Sequence, residues 1–318
     1  MREHAHTFGP EGKLIGIVHE PALAQRRQGA PAVLFANVGM HHRVGPYRLF
    51  VDLARGLGKL GFTSMRLDLS GLGDSARAID GGDEITRWVD DLKSAMALLE
   101  RKHGIDRFVI IGLCSGVDPA HAIAMQDERI AGAVFVDGHS FETRMHYVHR
   151  YVMRATKLRP WELFLKRRVP QLFGIEKERI PGSEFERPPM TREQFTADLA
   201  VMLERRIPLL FAFSGEYNDV FSHEGQFHDM VRPLETRGRV DVTIYPRADH
   251  TFSVPEDRKD FIDRLARWMC ERFPLAEPVP VSVRTERISD IPPVSGVRMV
   301  EENADPKDDS QPRIRLVG

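Results

Sequence analysis

The sequence predicts an α/β fold: a mostly parallel central sheet flanked by helices, with a helical cap inserted in it. Three observations predict this. Short apolar runs alternate with segments of helical period along most of the chain. The pentapeptide Gly112-Leu113-Cys114-Ser115-Gly116 lies between an apolar run and a segment able to form a helix. The alternation breaks once, over residues 139–206, and then resumes.

The first strand is read at Lys13–His19, after a shorter one near His6–Phe8, with Gly9-Pro10-Glu11-Gly12 as the turn. Ala32–Ala36 is a continuous apolar run, the pattern of a strand buried on both faces. A loop follows, Asn37–Pro46, and Tyr47–Leu60 carries apolar residues at helical spacing until Gly61-Phe62. Ser64–Leu69 is the next strand and Asp68–Ser75 its tight loop. Glu84–His103 is a helix with Trp88, Leu92, Ala95, Met96 and Leu99 on one face and Gly104 as its stop. The strand Phe108–Ile111 leads into the pentapeptide, Val117–Met125 forms a helix, and Ala131–Val136 is a strand ending at Asp137-Gly138. Such alternation implies right-handed crossovers.

From His139 to Arg206 no buried strand is evident. The segment carries prolines at 160, 170, 181, 188 and 189 and reads as a mostly helical insertion over the carboxyl edge of the sheet. Between Glu142 and Arg179 ten Lys or Arg stand against four acidic residues. This basic character fits either a solvated helix face or a cap whose inner surface selects an anionic substrate. Strands resume at Ile207–Phe213 and Val240–Tyr245, and a last amphipathic helix spans Pro255–Arg272 with Phe261, Leu265, Trp268 and Met269 inward. The core is therefore 1–138 plus 207–274, the cap 139–206, and 275–318 a proline-rich, charged tail that is disordered or wraps the surface, with Val279–Val283 a candidate edge strand.

Composition narrows the function classes. The 318 residues suffice for a sizeable core, and 42% hydrophobic with 29% charged residues is ordinary for a globular protein. A net charge of -1 gives no bulk attraction to nucleic acid or anionic membrane. The N-terminal residues lack an apolar stretch of signal-peptide type and no run approaches a bilayer span, so a cytoplasmic location is expected. Cys114 and Cys270 are too few and too distant to suggest a disulfide framework or metal site. Gly71-x-Gly73 lacks the full dinucleotide fingerprint, so no cofactor is expected. The expected partner is a small acyl substrate. The oligomeric state stays open, a homodimer included.

The pentapeptide has the form of a nucleophile elbow, G-x-Nu-x-G, with Cys114 at its apex. Small residues two before and two after the apex let a strained turn pass close to its neighbours. The turn aims the side chain at a helix N-terminus, whose partial positive charge favours thiolate. Ser115 is the rival nucleophile, but the glycine spacing puts it one step past the apex, with its amide at the site. Cys114, Asp219 and His250 then fall at strand ends in the order nucleophile, acid, histidine.

On these residues, from Lys13 to Phe273, the chain resembles the α/β-hydrolases with a cap. The motifs that carry the resemblance are Gly112-x-Cys114-x-Gly116 and Ala248-Asp249-His250-Thr251-Phe252. Asn37-x-Gly39, Arg43-x-Gly45-Pro46-x-Arg48 and Asp68-Leu69-Ser70-Gly71-x-Gly73-Asp74-Ser75 are similar to the serine-aminopeptidase-like group, which includes hydrolases of exosortase and exopolysaccharide gene clusters. Two departures stand out: Val38-Gly39 replaces the His-Gly of many members, and Cys replaces the usual Ser. A Cys elbow resembles dienelactone hydrolase within the same fold.

The resemblance implies a Cys114-His250-Asp219 triad, an oxyanion hole of the Ser115 and Met40 amides, and an acyl-thioester intermediate. Asp137 and Glu216 are alternatives to Asp219 as the acid. His41, His42 and Arg43, after the oxyanion turn, and Asp137 and His139, after the sixth strand, are candidate substrate-binding residues; surface exposure is the other reading of the first three. A hydrolase of esters or thioesters is the leading expectation. An acyltransferase with the same acyl-enzyme, or a binding protein retaining the fold, are its alternatives.

Overall fold

Apolar runs that read as doubly buried do lie in a sheet covered on both faces. The computed structural model describes residues 2–77, 83–148 and 190–275, apart from the side chains of Asn218 and Asp219. The chain divides into two units, Met1–Ala276 and Glu277–Gly318. The second, with the candidate edge strand at 279–283, lies outside the described residues, as do residues 149–189 of the insertion.

The strands are β1 (Arg2–Phe8), β2 (Leu14–Glu20), β3 (Ala32–Phe35), β4 (Ser64–Asp68), β5 (Phe108–Leu113), β6 (Ile130–Val136), β7 (Leu209–Ser214) and β8 (Asp241–Tyr245). They form one eight-stranded sheet in the order β1-β2-β4-β3-β5-β6-β7-β8. Every pair from β4 to β8 is parallel, whereas β2 runs antiparallel to β4 and β1 antiparallel to β2. The first strand is longer than its apolar residues suggested, because most of its side chains are exposed and only Phe8 is buried.

The helices are α1 (Leu49–Lys59), α2 (Glu84–His103), α3 (Val117–Gln126), α4 (Arg192–Glu204), α5 (Glu224–Met230) and α6 (Pro255–Arg272). Helix α2 is fixed at both ends: the Asp83 carboxylate accepts from the Thr86 amide, and Gly104 closes it in the left-handed conformation. Helices α2, α3 and α4 cover one face of the sheet, α1 and α6 the other. Side chains of β5 alternate between them, Phe108 and Ile110 against the first and Val109, Ile111 and Leu113 against the second. Helix α1 begins two residues later than expected, after a turn in which Tyr47 and Arg48 adopt positive φ.

One helix read into the insertion packs with the sheet. Helix α4, read as part of 139–206, buries Phe195, Leu199, Met202 and Leu203 in the main core. Two parallel neighbours such as β6 and β7 need a crossover helix, and α4 fills that place. Burial of each such side chain contributes roughly 1.5–3 kcal/mol, enough to commit α4 to the core. The short helix α5 between β7 and β8 was not foreseen, since its seven residues hold only one apolar turn.

Strand order reverses between β3 and β5: the chain steps from β3 to β4 on one side, then returns to place β5 on the other. The crevice outside the carboxyl ends at such a reversal is where ligands bind in open α/β sheets. Residues after β3 and β5 border it. The elbow that ends β5 depends on close backbone packing. A Cβ on Gly116 would lie 2.3 Å from the Asn37 carbonyl oxygen, and one on Gly112 would lie 2.4 Å from that of Gly116. Gly116→Ala is therefore expected to destabilise the protein by at least about 1–3 kcal/mol in denaturant titration, with a loss of activity no faster than the loss of folded protein.

Candidate active site

Cys114 stands at the apex of the elbow with φ 55°, an unfavourable angle for any residue with a Cβ. A single 3-10 turn, Cys114–Gly116, joins β5 to α3. Cys114 is in no disulfide and is half-buried. Its place before the first turn of α3 sets it in the positive end of that helix's dipole.

Ser115 is buried, and its hydroxyl oxygen accepts a 2.7 Å hydrogen bond from the Gly39 amide. The bond joins the elbow to the loop after β3. Gly39 has φ 49°, and the His41 amide closes a turn onto the Val38 carbonyl, with Met40 at its tip. The flanks of this loop are anchored to β4. The Asn37 carboxamide accepts from the Leu69 amide at 2.8 Å and donates to the His41 carbonyl at 2.9 Å. The fully buried Asp68 carboxylate accepts from the Arg43 amide at 2.6 Å, from the Arg43 guanidinium and from the Asp74 amide.

Opposite the elbow, His250 Nδ1 donates to Asp137 Oδ2 at 2.7 Å. Asp137 ends β6 with φ 48°, is fully buried, and accepts from the Ser214 amide at 2.6 Å through its other oxygen. With Nδ1 so engaged, Nε2 is left for Cys114, to which the imidazole is also hydrogen-bonded. The bond to Asp137 and then the bond to Cys114 raise the imidazolium pKa to about 10, against the opposing effect of burial. At neutral pH this geometry favours a charged imidazolium between carboxylate and sulfur.

The loop that carries His250 is held on every side. The Glu216 carboxylate accepts from the His250 amide at 2.9 Å, and the Tyr217 ring lies parallel to the imidazole at a centroid distance of 6.2 Å. The Tyr217 hydroxyl donates to the Gly138 carbonyl, next to Asp137. Asp249 accepts from the amides and hydroxyls of Thr251 and Ser253. Burial works against its ionisation, but these bonds outweigh it and hold its carboxyl well below the usual range.

The three carboxylates considered for the acid thus separate. Among the described side chains, the carboxylate that meets His250 Nδ1 is Asp137. Glu216 serves the backbone of His250. The side chain of Asp219 lies outside the described residues. Of the candidate substrate-binding residues, His41 and His42 are exposed beside the turn. The Arg43 guanidinium is paired with Asp68 and Asp74 and so ties two loops together. His139 lies against Asp118 of α3 at 3.4 Å. Sequence reasoning assigned no role to Asn37, Asp68 or Tyr217, although Asp68 at a strand end before Gly71-x-Gly73 was a usable signal. Among the described residues no group of three or more His, Cys, Asp or Glu could hold a metal ion, and no helix is long and apolar enough to cross a membrane.

Comparison with solved structures supports the fold reading. The chain is similar to a dienelactone hydrolase from Anabaena variabilis, with 17% identity over 86% of this chain and 98% of that one and a TM-score of 0.52. It is similar to an esterase from Pyrococcus furiosus, with 15% identity over 86% and 91% and a TM-score of 0.51. An α/β serine hydrolase homologue from Coxiella burnetii matches at 16% identity over 84% and 96%, with a TM-score of 0.50. No family model and no curated protein matches the sequence. At these identities the likeness establishes the α/β-hydrolase fold.

The electrostatic arrangement is directly measurable. In an NMR titration His250 is expected to lose its proton near pH 10. Removing the carboxylate charge in Asp137→Asn removes the largest stabiliser of the imidazolium, so its pKa should fall toward the ordinary value of about 6.5; Cys114→Ala should lower it by less. The sign also sets a stability window: a group whose pKa is raised on folding stabilises fully below its unfolded value of about 6.5, and this contribution is lost as pH rises toward about 10.

Proposed function

We propose that the protein is a hydrolase that cleaves an ester or thioester through Cys114, with His250 and Asp137 completing the triad. The observation that carries this reading is the continuous chain from the Asp137 carboxylate through the His250 imidazole to the Cys114 thiol, at the crevice where strand order reverses. The similar structures include an esterase and a dienelactone hydrolase, in agreement with this class of chemistry.

The thiolate attacks the acyl carbon and forms a C–S bond, and the carbonyl electron pair moves to oxygen. The Ser115 and Met40 amides receive that oxyanion, each donor contributing about 3 kcal/mol to the transition state. As the tetrahedral intermediate collapses, the bond to the leaving oxygen or sulfur breaks, and the imidazolium Nε2 proton goes to that atom. The neutral imidazole then takes a proton from water, whose oxygen attacks the thioester. The second collapse releases the acid and restores the thiolate and imidazolium. Asp137 keeps Nδ1 protonated throughout, so the same nitrogen always faces the reaction.

With p-nitrophenyl butyrate as probe, Cys114→Ala and His250→Ala are each expected to lower kcat/KM by at least about 10³-fold. Alkylation of Cys114 by iodoacetamide should persist well below pH 8.5, the value near which an ordinary thiol begins to ionise. An alkylation profile with a midpoint near 8.5, or full turnover by Cys114→Ala, would sink the assignment. Measuring free acid against transfer product with added alcohols, amines and thiols decides between hydrolysis and acyl transfer.

A further inference from the structure

We propose that the Ser115 hydroxyl is a positioning residue: it latches the Gly39–Met40 turn to the elbow and so sets the distance between the two oxyanion donors. The inference rests on the reading of Cys114 as nucleophile and deepens it. Its basis is the 2.7 Å hydrogen bond from the Gly39 amide to Ser115 Oγ, which joins residues 76 apart in sequence.

The loop after β3 is fixed unequally along its length. Its flanks are held to β4, at Asn37 through Leu69 and at Arg43 through Asp68. Its tip carries a glycine at φ 49° and then Met40, whose side chain is 77% exposed and adds no packing there. A turn with a glycine hinge and an exposed tip has little of its own to hold the Met40 amide in place. The Ser115 hydroxyl supplies that hold one residue before Met40, and it is 95% out of solvent by its own residue exposure of 5%. Ser115 thereby acts twice. Its amide is one donor, and its side chain governs the position of the other, so elbow and turn shift together or not at all.

The hydroxyl also has a chemical reason not to act as nucleophile. It accepts the Gly39 proton, while His250 is hydrogen-bonded to Asp137 and Cys114. A hydroxyl rather than an apolar side chain is required at 115 because a buried amide without an acceptor is costly, and the turn would move to find water.

The test compares Ser115→Ala with the native protein in three measurements. A misplacement of about 1 Å in a catalytic donor costs up to about 10²-fold, so kcat on p-nitrophenyl butyrate is expected to fall about 10- to 100-fold with KM changed less than about 3-fold. Alkylation of Cys114 by iodoacetamide, which proceeds at a tetrahedral carbon and forms no oxyanion, should keep its rate. Amide hydrogen exchange at Gly39 should quicken. An unchanged kcat, or a kcat and an alkylation rate that fall together, overturns the latch. If the native protein turns over no ester, the Cys114 reading is what fails; the Gly39 exchange rate needs no turnover and still decides whether Ser115 holds the turn.

Discussion

Strand β5 has to become helix α3 within three residues, and the site follows from how tightly that turn is packed. Three backbones meet there: the end of β5, the start of α3 and the loop after β3. With a Cβ at 112 or 116 the nearest carbonyl oxygens would stand at 2.4 and 2.3 Å, well inside contact distance. Glycine at both places lets the elbow lean on the loop, and the same closeness brings Ser115 to Gly39. The strain at Cys114, with φ 55°, is sustained by the β-sheet on one side and the helix on the other. Its consequence is a half-buried side chain that packs against the core and still meets the His250 imidazole.

The polar groups around this turn are arranged by depth. Asp68, at the end of β4, and Asp137, just past β6, are both fully buried, and each accepts from the backbone as well as from a basic side chain. Asp68 fixes the loops after β3 and β4; Asp137 fixes the imidazole and the end of β7. Closer to solvent, Glu216 and Asp249 shape the loop that carries His250. A buried carboxylate is tolerable only where its hydrogen bonds are met, and here the bonds that meet that need are the ones that position the site.

The fold class was legible in the sequence because doubly buried strands leave continuous apolar runs, and Ala32–Ala36, Phe108–Ile111 and Ala131–Val136 are such runs. Glycine spacing marked the elbow, since glycine is what the close approach demands. The partner of His250 was not legible. Asp137, Glu216 and Asp219 all lie just past strands, and which one reaches the imidazole depends on the pairing of Val136 with Ala212, a register that sequence order does not reveal. The ion pairs of Arg43 were not legible for a similar reason, since its carboxylates lie 25 and 31 residues on. The core role of helix α4 was hidden because its sequence reads equally as part of a helical insertion; the need to cross from β6 to β7 on the covered face explains it.

The central claim is that the Cys114 sulfur carries the acyl group. Quenching the reaction with an activated ester in acid during the first turnover, then locating the added mass by fragmentation of the peptide that contains residues 114 and 115, tests it directly. The account predicts an acyl group on Cys114 that neutral hydroxylamine removes. An adduct on Ser115 that resists neutral hydroxylamine, or rapid turnover with no adduct on this peptide, would contradict it.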